Sequence, residues 1–381
     1  MWRYSRIDDL DLDDFSPTAE TGRVGIPDVL RPLLDATPER AALLVARNGR
    51  FVHAEVRDDL AAKDLRAGPV GAGDADVLGA AIAEAPDVFL SFNDAFVADA
   101  LVVQVPAGLT VGGPIVVAHV TEGDRQAAFP RLVVDAGADS DVSVLEIQAS
   151  GTHPALVVPV TELVVGRAAR VGHLTVQQLG LATWQLGLQV ASVDAEASLR
   201  TTSIGFGGDY ARLRTDCRMV GRGGTGELDA VYFGEGDQTL DFRTFQDHIA
   251  PDCTSNLLFK GAVGGRSRSV YTGMIRVGKQ ARGTNAFQTN RNVKLSDDAW
   301  AESVPNLEIE TNDVRCSHAS TVGPIDEEQR FYLESRGVPT DEAERLIVSG
   351  FFDEVLDRAP VASVAPLLRS TIAAKFERRE G

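Results

Sequence analysis

The chain changes texture twice, and both changes show in where its apolar residues fall. Up to about residue 90 the apolar positions have no steady period. "IPDVLRPLLDATPERAALLVARNG" reads as helical stretches broken by Pro27, Pro32 and Pro38, and the Ala-rich "DADVLGAAIAEAP" is stopped by Pro86. Residues 1–90 are therefore expected to form a small, partly helical unit. From 91 to 322 the pattern becomes short runs of Val, Leu and Thr punctuated by Gly, Ala and Asp; "ALVVQVPAGLTVGGPIVVAHV" is strand, turn, strand, turn, strand. "LVVDAGADSDVSVLEI", "LVVGRAARVGHLTVQQL", "ASVDAEASLRTTSI" and "CRMVGRGGTGELDAVYF" repeat one plan: an apolar strand end, a few small residues, then an alternating strand.

Aligned on the small residues Ala138, Ala169, Ala197 and Thr225, these segments recur every 31, 28 and 28 residues. That spacing lies in the range of repeat architectures. In a β-solenoid each coil buries one face and stacks its backbone on the next, which explains both the small corner residues and the alternation. A β-sandwich of ordinary meanders remains open, since its turns also come at short, regular intervals.

After Gly323-Pro324 the period becomes helical, and residues 323–381 read as a helical domain. "PIDEEQRFYLESRG" has acids in its first turn and ends at Gly337. "PTDEAERLIVSGFFDEVLDRAP" opens with Thr340 as the expected N-cap and sets Leu346, Ile347, Phe351, Val355 and Leu356 at helical spacing. "VASVAPLLRSTIAAKFERR" continues with Val364, Leu367, Leu368, Ile372 and Phe376. These stripes call for helix-to-helix packing, with part left over as a docking face.

Composition narrows the function classes. Asp and Glu outnumber Lys and Arg 55 to 37, a net charge of −18, which argues against a general nucleic-acid binder. "MWRYSRIDDLDLDDF" has no apolar core of a signal peptide, and no run of about 18 apolar residues is long enough to span a bilayer. Three dispersed cysteines, Cys217, Cys253 and Cys316, form no CxxC pair. A cytoplasmic protein with no membrane partner is the expectation.

The motifs mostly dissolve on inspection. "GRGGTG" spells GxGxxG, but an alternating strand follows where a dinucleotide site needs a helix. "VGKQ" around Lys279 lacks the spacing and hydroxyl of a P-loop, so ATP chemistry would need a partner. "DVRCSHASTVG" is different. Val314, Cys316, His318, Ser320 and Val322 alternate with Arg315, Ser317, Ala319 and Thr321, the period of a strand, which puts the thiol and the imidazole on one face. Such a pair suits a soft metal or a sulfur-bearing group. It fits a buried core cysteine beside a hydrogen-bonded histidine equally well. His248 is a secondary candidate: Pro251 bends the chain between it and Cys253, although a turn-capping histidine and a packed cysteine satisfy the same residues. Cys217 reads as core, and His53, His119, His153 and His173 receive no role.

"DHIAPDCTSNLLFKGAVGGRSRSVYTGMIRV", "QTNRNVKLSDDAWAESVPNLEIETNDVRCSHASTVGPIDEEQRFYLESRG" and "EAERLIVSGFFDEVL" resemble the SufB/SufD family, core components of the Suf machinery for iron–sulfur cluster assembly. The resemblance is densest over residues 240–358, continues more weakly through "VVQVPAGLTVGGPI", and is poor at the N-terminus. Cys-Ser-His followed by Ala319 resembles the SufD branch; the SufB branch typically has an acid there and carries its key cysteine on an earlier strand.

The resemblance implies a right-handed parallel β-helix between helical N- and C-terminal domains, in a non-catalytic scaffold subunit. It implies pairing with a SufB-like paralogue and docking of a SufC-like ABC ATPase on the C-terminal helices around Phe331, Tyr332, Leu346, Phe351 and Phe352; a homodimer of the chain alone stays open. Cys316 and His318 become donors to a transient iron–sulfur cluster shared with the SufB-like chain, with flavin as a further cofactor of the complex. The competing reading from another class is a secreted-type β-helix enzyme acting on acidic polysaccharide. That enzyme would need stacked carboxylates or calcium ligands and usually a secretion signal.

Overall fold

The computed structural model describes residues 4–17, 25–71 and 75–378; residues 1–3, 18–24 and 72–74 of the expected first unit lie outside the described residues. Two long, almost entirely parallel sheets face each other as a β-solenoid of about eight turns. One sheet runs from Arg66–Pro69 through Leu101–Val105, Arg131–Ala136, Val160–Val165, Thr183–Val193, Tyr210–Met219, Thr239–His248 and Arg268–Val277 to Trp300–Ile309. The other runs from Arg50–Val56 through Ala42–Arg47, Ile115–Thr121, Asp141–Ser150, Arg170–Gln178, Ser198–Gly205, Thr225–Gly234, Thr254–Val263 and Thr284–Lys294 to Val314–Pro324. Successive strands of one sheet are successive coils. In the second sheet Ile115, Val144, His173, Thr201, Leu228, Leu257, Gln288 and His318 stack in one register column.

The corners explain the repeat. Asp139, Ala168, Glu196, Gly223, Asp252 and Gly283 all have left-handed backbone, φ from 57° to 74°. Each donates its N–H to the next coil: Asp139 to Arg167 O at 2.8 Å, Ala168 to Ala195 O at 2.8 Å, Glu196 to Arg222 O at 2.9 Å, and so on to Gly283 and Asp313 O at 2.8 Å. This ladder of turn-to-turn bonds offsets the cost of about 1 kcal/mol of holding a non-glycine residue there. The corners expected at Ala138, Ala169, Ala197 and Thr225 lie within two residues of these positions. The residue after each left-handed corner is small and buried: Ser140, Ala169, Ala197, Gly224, Cys253, Thr284. "GRGGTG" is one of these corners, and a Cβ on Gly221 would meet Ala195 N at 1.9 Å, so backbone packing requires that glycine.

The first unit is less helical than its sequence suggests. Within "IPDVLRPLLDATPERAALLVARNG" the helical stretch is Asp28–Leu30 and Arg31–Asp35, and Pro32 sits in the first turn, where it starts the helix and does not break it. "ALLVAR", expected as helix, is the strand Ala42–Arg47, which pairs in parallel with Ile115–Thr121 and antiparallel with Arg50–Val56. All six residues are buried, so no alternation marks it as a strand. Residues 42–69 thus already contribute strands to the same two sheets as the residues after position 90. The helix Val88–Phe96, capped by the Asp87 carboxylate, packs Phe89 against Phe129 and Trp184 and Leu90 against Val160 and Leu188.

At the other end, helices Glu327–Glu334, Thr340–Leu356 and Ala365–Arg378 follow the last strand. The first is capped by Asp326, and Gly337 then turns the chain with φ +88°. The expected N-cap Thr340 is the first residue of its helix and makes no capping bond. Val348, Phe352, Val355, Leu368, Ile372 and Phe376 cover the outer face of the second sheet, packing on Leu145, Leu174, Ile204 and Phe233. Each such side chain contributes about 1.5–3 kcal/mol. Among the described residues, no helix is long and apolar enough to cross a membrane.

Candidate functional site

Both sheets stop at the same end of the solenoid. Among the described residues, Trp300–Ile309 pairs only with Arg268–Val277, and Val314–Pro324 only with Thr284–Lys294. Among the described residues, each last strand thus presents one edge of backbone groups with no neighbouring strand, and no further coil is stacked on the one they form. Along Thr284–Lys294 the residues Ala286, Gln288, Asn290 and Asn292 are buried in the interior, and they pair in register with Cys316, His318, Ser320 and Val322. Cys316 and His318 therefore continue the interior face out to the open end, as the alternation in "DVRCSHASTVG" predicts.

The two side chains differ in surroundings. Cys316 is half-buried against Ile275, Val277, Ala281 and Ala286. That burial pushes its thiol pKa up, partly offset by a backbone hydrogen bond from Ala286. His318 is exposed. Two donors, one thiol and one imidazole, are the whole constellation: among the described residues no group of three His, Cys, Asp or Glu is placed to hold a metal ion.

His248 does not join them. It sits in the column Met219, His248, Val277, Ile309, fully buried, with Nε2 2.8 Å from Ser255 Oγ. Burial pushes its pKa down to about 4, so it is a neutral, enclosed imidazole. Nor does it meet Cys253, whose thiol donates to Gly221 O at 3.3 Å from its corner position. Cys217 is core, as read: fully buried, 3.6 Å from Met219 Sδ, its thiol pushed up to about 12 by burial.

The sequence reading missed one buried polar group. His173, given no partner there, lies with Nε2 3.0 Å from Glu146 Oε2, and Glu146 also accepts from Thr161 at 2.9 Å and Gln148 at 2.7 Å. Burial alone would raise the Glu146 pKa; the hydrogen bond and charge of His173 outweigh it and hold the carboxyl well below its usual range. The two are 27 residues apart in sequence and meet only because adjacent coils stack. This cluster is enclosed, far along the solenoid from the open end.

Beside the open end is a groove of about 790 Å³ between Val293, Pro324 and the first two C-terminal helices, lined by Tyr332, Leu333, Leu346, Ile347 and Phe351. Phe331, Tyr332 and Leu346 are 71%, 56% and 45% exposed, whereas Phe352 is 0% exposed and packs on Phe233 with ring centroids 6.4 Å apart. Of the five expected docking residues, Phe352 is thus internal; it lies about 100° around the helix from Phe351.

Comparison with known proteins places this architecture. A family described as "SUF system FeS cluster assembly, SufBD core domain" matches residues 119–351, most of the solenoid and the first helices after it. An iron–sulfur cluster assembly SufBD family protein of Mycobacterium tuberculosis is 38% identical over 306 residues, 77% of this chain and 74% of that one. The chain belongs to the SufB/SufD family. Within that family the chain is SufD-like: it is 28% identical to SufD of Bacillus subtilis over 276 residues, covering 72% of this chain and 63% of that one. It is also 33% identical to SufD of Escherichia coli over 162 residues, 42% of this chain and 38% of that one. The match to the family covers His248 and Cys316–His318 alike, so it is geometry that separates the enclosed histidine from the pair at the SufBD solenoid's open end.

Proposed function

We propose that the chain is a non-catalytic scaffold subunit of iron–sulfur cluster assembly that supplies Cys316 and His318 to a site completed by a SufB-like paralogue. One observation carries the reading: a soft thiol and an imidazole stand together on the interior face of the last coil, where both sheets end unpaired. A cluster takes about four protein ligands, and among the described residues one chain offers two here. The missing donors must come from a second chain. A paralogous solenoid that continued both sheets would satisfy the open edges with backbone hydrogen bonds and bring its own donors to the same place. The cluster is cargo, held transiently, and the location is cytoplasmic.

The groove beside this end supports docking of a SufC-like ATPase. Phe331, Tyr332 and Leu346 provide exposed apolar surface, Phe351 forms part of the wall, and Phe352 anchors the helix from behind. The chain carries no P-loop of its own, which fits a division of labour in which the partner hydrolyses ATP.

The test is co-expression with a SufB-like and a SufC-like chain, followed by iron and sulfide analysis. His318→Ala should abolish the cluster while leaving the melting temperature of the chain unchanged, because the imidazole is exposed. Cys316→Ala should be milder. A normal cluster absorbance band in the His318→Ala complex would overturn the assignment.

A further inference from the structure

Gln288 occupies the position directly beneath His318 in the register column, on the neighbouring strand and the same interior face. It is 1% exposed, yet neither its Oε1 nor its Nε2 has a hydrogen-bond partner. A buried primary amide with both ends open carries the full desolvation penalty, and native interiors rarely leave one so. Its neighbours on the same strand and face are satisfied: Asn290 Nδ2 donates to Tyr232 Oη at 2.9 Å, and Asn292 Nδ2 donates to Asn290 Oδ1 at 2.8 Å. The opening is therefore local to the coil under His318.

The fold also makes room for this amide. On the facing sheet a Cβ at Gly273 would stand 2.0 Å from Gln288 Nε2 and 2.5 Å from Tyr271 Oη. Only glycine leaves the carboxamide its place there, so the polar group is accommodated where an apolar side chain would fill the space at no desolvation cost. In-register parallel strands hold the Gln288 and His318 backbones about 4.8 Å apart with side chains alongside each other, within reach of a hydrogen bond once the imidazole turns inward.

We propose that Gln288 is a positioning residue for His318. When a second solenoid closes the open end, the Gln288 carboxamide oxygen accepts the N–H of one ring nitrogen. That bond fixes the tautomer and the ring plane, and the other nitrogen is left facing the cluster. Histidines that bind metals generally carry such a bond on their second nitrogen, and its loss typically costs about 10–100-fold in affinity. In the isolated chain His318 is exposed and makes no bond to the open amide. The inference rests on the reading of Cys316 and His318 as cluster donors.

The test compares Gln288→Leu, Gln288→Glu and His318→Ala, each in the full chain alone and in the co-expressed complex. Gln288→Leu keeps the volume and removes both open polar atoms, so the chain alone should melt at the same temperature or higher. The iron and sulfide bound by the complex should fall about tenfold. Gln288→Glu keeps an acceptor and should recover most of the cluster. In the wild-type complex the nitrogen-15 shifts of His318 should report one fixed tautomer, and this signature should be lost with leucine. Full cluster in Gln288→Leu beside loss in His318→Ala overturns this inference alone. Full cluster in both overturns the reading of the pair. A Gln288→Leu chain that melts lower, in step with its cluster loss, assigns Gln288 a structural role and also overturns the inference; Gln288→Met settles the point if leucine prevents folding.

Discussion

Arg276 and Glu308 stand opposite each other in register on the last two strands of one sheet, Nε to Oε1 3.9 Å, and the same guanidinium is 4.0 Å from Glu310. They end a row that alternates in sign across four neighbouring strands: Arg218, Asp247, Arg276, Glu308. The outward positions of the terminal strand, Glu302, Val304, Asn306 and Glu308, followed by Glu310, contain no Lys or Arg. A second copy laid against this edge would bring glutamate toward glutamate, whereas a paralogue with a basic residue opposite Glu308 would continue the alternation.

Glu308→Lys should accordingly weaken pairing with the SufB-like chain by about 0.5–1 kcal/mol, a two- to fivefold rise in Kd, and should strengthen self-association. Titration calorimetry for the complex and sedimentation for the chain alone read the two effects. Both should shrink in about 0.5 M salt, since the carboxylate is exposed. Tighter pairing with the paralogue would contradict the role given to this row.

Lys375 fastens the last helix to the solenoid. Its Nζ donates to Phe206 O and to Glu235 Oε1, both at 2.8 Å, and the side chain is 2% exposed. Lys375→Met keeps the stem but leaves the Phe206 carbonyl unpaired and Glu235 with Arg378 as its remaining cation. The expected cost is about 2–3 kcal/mol, less than for a pair buried on both sides, because Arg378 stays. Denaturant titration measures it, and proteolysis near Pro360 should become faster. An unchanged midpoint would show that apolar packing alone holds the helix.

Asp229 gives the stability a pH dependence of predictable sign. Burial pushes its pKa up to about 6, against the pull of Arg358 and Arg200, and its Oδ2 has no partner. Between about pH 4, where the unfolded carboxyl titrates, and pH 6, the native state binds the extra proton. Stability contributed by this group is therefore present at low pH and lost as pH rises to 6. Asp229→Asn removes that loss and should gain about 1–2 kcal/mol at pH 8 and little at pH 4.5, after the weakened bond to Arg358 is counted. A gain confined to low pH would contradict the assignment.

The repeat was legible because its cause is local. Each corner needs a left-handed residue followed by a small one, and both leave their mark within four positions. What escaped the sequence needed either burial on two faces or contacts between coils. Ala42–Arg47 shows no alternation because both its faces are covered, although Asn48-Gly49 just after it is a hairpin-turn signal that could have corrected the reading. Glu146 with His173, and Gln288 with His318, are pairs separated by about one coil, and which residues meet depends on register to the residue. Cys316 and His318 lie on one strand two apart, so alternation alone sufficed to put them on one face. That the face points to an open end, where a second chain has room, came from the unpaired outer edges of the two last strands.

The three thiols offer a final test, because burial ranks them. Cys217 and Cys253 are fully enclosed, and Cys316 is half-buried with its pKa raised. A disulfide reagent at pH 8 should therefore label one thiol, Cys316, and slowly, with its rate climbing as the pH rises above the usual thiol range. Cys217 and Cys253 should react only when the chain unfolds, so their labelling follows the denaturation midpoint. In complex with the SufB-like chain Cys316 should be protected as well, because a solenoid continuing both sheets covers the interior face on which it stands. Adding the SufC-like ATPase with a non-hydrolysed ATP analogue then separates two arrangements: renewed labelling means that the ATPase opens the end, and continued protection means that the cluster is built with it closed. Equal labelling of Cys316 in the free chain and in the complex would place the partner elsewhere on the molecule and remove the geometric basis for a shared site.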